Sequence, residues 1–399
     1  MKGNAKHMAG LVVCIAAFLI LWGLPASGSE QGVTENSVKV GATLDMTGPI
    51  AFVGKVLTDG MNVYFSSVND EGGIHGRKIT QIVEDHGYNP SRAVAAVVKL
   101  NDRDRVFAIV GAMGAPTTLA MVPALEKAGL PLVGIGGFSS AFAYPPKKLV
   151  FQLLTLYNDQ MRITLDYIVK DLGVKKPVLG MIYQDDDFGS DCLKGLEDQA
   201  KMYGIPISST VSYKRGTLDF NPQVVRMMNA GVEYCFLATV YRETAAVLKE
   251  AAKLGWKPTF IVSAAAADAI TLKLSGPAAE GLLGVAVGEL PDSQRPGWKE
   301  YLEKTKKYGK AEPGFYHSVG YLCAEVFCEG LKRTGKDLTR SNFINAMNGI
   351  KDFNTGVGPN ITFGPDLRAG AHSGFIVKAD TKKGSFEKQT DWREPRDKP

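Results

Sequence analysis

A chain of 399 residues exceeds what one hydrophobic core fills, about 250–300 residues, so two lobes are expected. The formal net charge of +5 is too mild for a nucleic-acid partner, and no basic cluster is interleaved with aromatics. With Lys2 and Lys6 removed in processing it is milder still.

The first residues carry Lys2, Lys6 and His7 and no acid. An unbroken apolar run follows over 11–24, closed by Pro25 and the small residues Ala26-Ser27-Gly28-Ser29. That order is a secretory signal peptide over 1–28, cleaved after Ala26 or Gly28. The run is shorter than the roughly 20 apolar residues of a membrane span. Cys14 lies inside it behind the bulky Val13 and is not a lipid-anchor site. Export to the periplasm is therefore expected. Four cysteines remain, Cys192, Cys235, Cys323 and Cys328. Cys323 and Cys328 diverge on one predicted helix, and Cys235 falls in an apolar strand, so buried free thiols are expected.

From residue 38 the pattern alternates. Strands are predicted over 38–44, 78–84, 106–111 and 130–135, and helices over 59–69, 91–101 and 117–128. The alternation restarts with a helix over 160–172. Strands over 178–183, 207–213, 234–239 and 259–262 then interleave with helices over 190–203, 220–230, 243–254 and 268–274. Gly204, Gly231 and Gly255 fall just past helix ends, where a left-handed cap favours glycine. Helices over 296–308, 316–334 and 341–348 follow, then strand-like 360–363 and 374–378. The fold class is α/β, two doubly wound parallel-sheet lobes joined by a hinge that the chain crosses several times. The first lobe is assigned 36–156 and 290–353, the second 157–289 and 354–380, and 381–399 reads as a loose polar tail.

Enzyme signatures are weak. Gly134-Ile135-Gly136-Gly137-Phe138-Ser139 has serine where a dinucleotide loop needs its third glycine, and no acid follows at the right distance. Asp187-Phe188-Gly189 lacks the other kinase loops. Asp185-Asp186-Asp187 lacks calcium-loop spacing. His75, His86, His317 and His372 show no zinc spacing. No catalytic set, cofactor or metal is expected. The binding signals are instead loops at strand ends, over 111–118 and 136–140 in the first lobe and 183–189, 239–242 and 263–268 in the second. They can face one another across a single cleft.

These loops carry a likeness. Val38-Lys39-Val40-Gly41 with Thr47-Gly48-Pro49, the stretch Asn69-Asp70-Glu71-Gly72-Gly73-Ile74-His75-Gly76-Arg77, the 185–189 loop, Gly216-Thr217-Leu218-Asp219-Phe220 and Ala279-Glu280-Gly281 resemble segments of the leucine/isoleucine/valine-binding family. These are type I periplasmic binding proteins serving ATP-driven importers, and the likeness runs over about 38–377. It implies a monomer that closes on a small molecule and presents it to ABC permease subunits. A periplasmic ligand sensor is the rival role on the same fold.

That likeness, taken with the strand-end loops, gives a pocket of Phe52, Val53, Met113, Gly114, Ala115, Thr117, Gly137, Phe138, Ser139, Phe188, Tyr241 (or Val240), Arg242 and Ala264. Ala115 and Phe138 replace ligand-binding hydroxyls, and Ala264 replaces the acid that meets an amino acid's ammonium. A buried ammonium without a counter-charge costs several kcal/mol, so an α-amino acid is disfavoured unless Asp268 substitutes. The expected ligand is an organic acid, most simply an aromatic carboxylate, held by the helix start at Thr117, by Ser139 or by Arg242. A branched-chain or other amino acid or amide is the alternative.

Overall fold

The computed structural model describes residues 30–397; the signal-peptide assignment lies outside them. Two sheets organise the chain. The first is fully parallel, ordered β2-β1-β3-β4-β5, from β1 (Ser37–Leu44), β2 (Lys78–Asp85), β3 (Ala108–Met113), β4 (Leu132–Gly136) and the short β5 (Val150–Phe151). The second is ordered β12-β11-β10-β9-β8-β6-β7. Its parallel part is β6 (Leu179–Gln184), β7 (Ile207–Tyr213), β8 (Tyr234–Ala238), β9 (Thr259–Val262) and β10 (Leu283–Ala286). The antiparallel β11 (Phe375–Asp380) and β12 (Ser385–Lys388) extend it. The inner strands β3, β4 and β8 read as apolar runs because helices cover both faces, whereas β2 and β7 at the sheet edges keep polar positions.

In the first lobe α1 (Ala51–Asp70), α2 (Pro90–Asp102) and α3 (Ala115–Ala128) connect the strands. Helix α1 starts eight residues before the expected 59 because the Asp45 carboxylate accepts the Gly48 and Ile50 amides and fixes the turn ahead of it. In the second lobe α4 (Tyr157–Asp166), α5 (Asp187–Tyr203), α6 (Asn221–Asn229), α7 (Tyr241–Lys253) and α8 (Ala269–Ser275) do the same. Then α9 (Pro296–Tyr308), α10 (Phe315–Thr334) and α11 (Arg340–Asn348) return to the first lobe, where α10 lies along α1. That pair is close-packed. A Cβ at Gly60 would stand 1.9 Å from the His317 carbonyl oxygen, and one at Gly320 2.0 Å from that of Leu57.

The chain passes between the sheets three times, after β5, after β10 and before β11. The first and third passages run side by side, the Gln152 amide donating to the Arg368 carbonyl at 3.0 Å and the Gly370 amide to that of Gln152 at 2.8 Å. Three expectations are corrected here. Residues 354–370 stay with the first lobe, since Phe363 packs edge-on against Phe151 at 5.2 Å; the strand expected over 360–363 is only an isolated bridge from Phe353 to Ile361. The tail expected to be loose is fastened: β12 pairs with β11, Trp392 packs on Phe375 at 4.8 Å, and Arg393 grips both Asp171 oxygens at 2.8 and 3.0 Å. Composition reports how polar a segment is, whereas a few anchoring side chains decide whether it is ordered. All four described cysteines are free and buried.

Candidate functional site

The two sheets point the carboxyl ends of their parallel strands at each other, where ligands bind in open α/β sheets. From the first lobe Ile50, Val53, Tyr88, Met113, Gly114, Ala115 and Gly136 reach the gap between them. From the second come Phe188, Val240, Tyr241 and Ala265, while Tyr157 and Tyr316 enter from the first turns of α4 and α10. The gap measures about 20 Å³, room for about one water. Among the described residues lining it none is charged, and five are aromatic.

Rings set its shape. Tyr157 and Phe188 lie with centroids 4.6 Å apart, and Tyr241 meets Phe52 edge-on at 6.3 Å at the rim. Tyr88 has a left-handed backbone (φ 57), a strained state for a bulky residue. Its ring lies so close to Gly114 (φ 83) that a Cβ there would stand 2.3 Å from Tyr88 Cε2. Burial pushes the hydroxyls of Tyr157 and Tyr316 well above their ordinary range, so both remain neutral donors. Helix α3 opens on Gly114 with no side-chain cap. A Cβ at Gly137 would crowd the Ala115 amide at 3.0 Å, so glycine leaves that helix start accessible. Uncapped amides at a helix N-terminus suit an anion.

Contacts across the gap hold it closed. Arg215 stacks over the Tyr88 ring at 4.4 Å, donates to the Tyr88 carbonyl at 2.8 Å, and pairs with Asp186 of its own lobe at 2.9 Å. The Tyr241 hydroxyl donates to the Pro49 carbonyl at 3.2 Å, and that of Tyr316 to the Ala265 carbonyl at 2.9 Å. On the hinge side the Ser140 amide donates to Asp191 at 2.9 Å. Burial pushes the Asp191 carboxyl up to about 6, despite the Ser140 bonds that favour its charged form.

Of the sequence-predicted residues, Val53, Met113, Gly114, Ala115, Phe188 and both Tyr241 and its alternative Val240 converge on the gap, with Phe52 at its rim. The others do not. The Thr117 hydroxyl turns back on the carbonyls of Met113 and Gly114, because the small-residue loop leaves them within reach. Ser139 caps the turn at Ala141. Phe138 wedges between Tyr157 and Phe315 at 5.2 and 6.3 Å, and Arg242 points to solvent. Ala264 gives its amide to Gln160 at 2.9 Å, leaving the gap to Ala265. Asp268 does not supply the missing counter-charge: it caps Ile270 at 2.9 Å and lines neighbouring spaces instead. Sequence reasoning missed Ile50, Tyr88, Tyr157 and Tyr316, while Gly136 and Ala265 lie in loops it singled out without naming them as pocket residues. Tyr88 follows a strand end like the loops that were singled out; Tyr157 and Tyr316 begin helices after crossings and carry no local signal.

The periplasmic binding protein family matches residues 37–385. A Leu/Ile/Val-binding protein homolog 7 of Brucella melitensis biotype 1 is 24% identical over 342 residues, 82% of each chain. A fatty acid ABC transporter substrate-binding protein from Thermomonospora curvata superposes with TM-score 0.84 at 27% identity, over 92% of this chain and 94% of that one. A branched chain amino acid ABC transporter from Thermus thermophilus with bound valine gives 0.83 at 22% identity, over 91% and 97%. With two α/β lobes, a cleft at facing strand ends and a match across nearly its whole described length, the chain belongs to the leucine/isoleucine/valine-binding family of periplasmic binding proteins.

Proposed function

We propose that this chain is the capture subunit of an ABC importer. It leaves the cytoplasm by a cleaved signal peptide, works as a monomer, catalyses nothing, and binds a small organic acid, an aromatic carboxylate first among them. The observation that carries this reading is the gap's lining, rich in rings and without a charged side chain among the described residues. An ammonium there would lack a partner at a cost of several kcal/mol. A carboxylate has the start of α3 at Ala115, which no side chain caps, and an aromatic ring gains about 0.5–1.5 kcal/mol per well-placed neighbour. The relative named for fatty acids supports a carboxylic acid. The Leu/Ile/Val-binding name of the Brucella protein favours the second reading, a branched-chain amino acid. Calorimetry with benzoate, 4-hydroxybenzoate, hexanoate, leucine and valine separates them. Micromolar binding of an acid without an amine supports the proposal; tight leucine or valine binding with silence from every simple acid overturns it.

A further inference from the structure

The gap is not the only space at the lobe boundary. Beside it lies a chamber of about 280 Å³, more than ten times larger. Its walls include Ala264, Ala267, Val285, Leu290, Phe315 and Phe386. Two carboxylates touch it and both are occupied. Glu289 is held by Arg295 at 2.7 Å and by the Ser293 hydroxyl at 2.7 Å, and Asp268 caps α8. The alanines of the 264–267 run leave room that larger side chains would fill.

The wall between gap and chamber is one residue thick. Ala265 and Tyr316 face the gap, while their chain neighbours Ala264 and Phe315 face the chamber. The wall is closed by the bond from the Tyr316 hydroxyl to the Ala265 carbonyl. Its two halves ride on different lobes, Tyr316 on the helix that lies along α1 and Ala265 on the loop after β9. Separation of the lobes therefore parts the wall and joins the two spaces.

We propose that this chamber takes the hydrocarbon tail of an acid whose carboxylate sits in the cleft, with Tyr316 as the partition between head and tail. This rests on the organic-acid reading above and extends it to elongated acids. A chamber lined mostly by apolar and small side chains, its two carboxylates already partnered, offers an acyl chain apolar burial. As closed here the gap has room for about one water, so a short acid needs the lobes to close around it less tightly and a long tail needs further space.

The test is calorimetric titration of the processed protein with straight-chain acids from butanoate to dodecanoate, beside benzoate, repeated on Ala267→Leu. Affinity is expected to climb about fourfold per added methylene and then level off as the chamber fills. Ala267→Leu is expected to hold benzoate and butanoate within twofold while losing at least tenfold for decanoate. A flat series, or equal losses for short and long acids in the variant, overturns the chamber proposal and leaves the organic-acid reading standing. Silence from every acid with binding of leucine or valine removes both. If Ala267→Leu melts far below the unmodified protein, the series on the unmodified chain decides alone.

Discussion

Tyr88 and Gly114 constrain each other across the β2 and β3 loops. Tyr88 holds a left-handed backbone and Gly114 a positive φ, and the space a Cβ would need is filled by the Tyr88 ring. Gly114→Ala adds backbone strain of order 1–3 kcal/mol to that clash. The expected result is a melting temperature lower by several degrees and loss of ligand response, read by thermal shift. Asp191 gives a pH prediction. Its carboxyl titrates near 6 in the folded chain and about 3.9 unfolded, so between those values the folded state keeps a proton the unfolded state has lost. Its contribution to stability is fullest below about pH 4 and is lost as pH rises to about 6. Asp191→Asn is expected to flatten this part of the stability profile, melting at or above the unmodified protein at pH 7.5 and losing that advantage near pH 4.5. A lower melting point at pH 7.5 would show that the bonds to Ser140 outweigh the cost of the buried charge.

At the scale of elements, the loop after β7 acts as a clasp. Arg215 ties Asp186 on its own lobe to Tyr88 on the other, and its side chain is 28% exposed. A hydrogen bond to a charged group contributes about 1.5–3 kcal/mol, and partial exposure argues for the lower end. Arg215→Met is expected to weaken binding of the best acid about tenfold in calorimetry. Arg215→Lys should not restore it, since an ammonium cannot reproduce the planar fork that stacks on the ring while bonding both partners. Undiminished affinity in both variants would show that the clasp adds nothing to closure.

The whole molecule is one design used twice. The order β2-β1-β3-β4-β5 in the first sheet is matched by β7-β6-β8-β9-β10 in the second, with cleft loops at the carboxyl ends of both. A gap of about 20 Å³ admits no solute, so capture requires the lobes to part about the three crossings and close again. Small-angle scattering is expected to show a larger radius of gyration without ligand than with a saturating acid. At 100 times Kd the ligand should add about 2.7 kcal/mol of stability. An unchanged radius with clear calorimetric binding would argue against hinge closure.

The strand and helix alternation was legible from the sequence because hydrophobic period and glycine stops are local, and the family from segments such as Asn69–Arg77. Met113, Gly114 and Ala115 were within reach because they lie at a strand end, whose place in such a sheet is fixed by topology, whereas Val53, Phe188 and Tyr241 came from the family likeness. Tertiary structure alone decided the rest. Thr117 and Ser139 spend their hydroxyls on neighbouring backbone, which residue type cannot reveal. Tyr157 and Tyr316 enter the cleft from helices placed by chain crossings, and Arg215 meets Tyr88 across 127 residues of sequence. Local chemistry writes the elements into the sequence, but a cleft is made of residues distant along the chain, and only the packed fold says which of them meet.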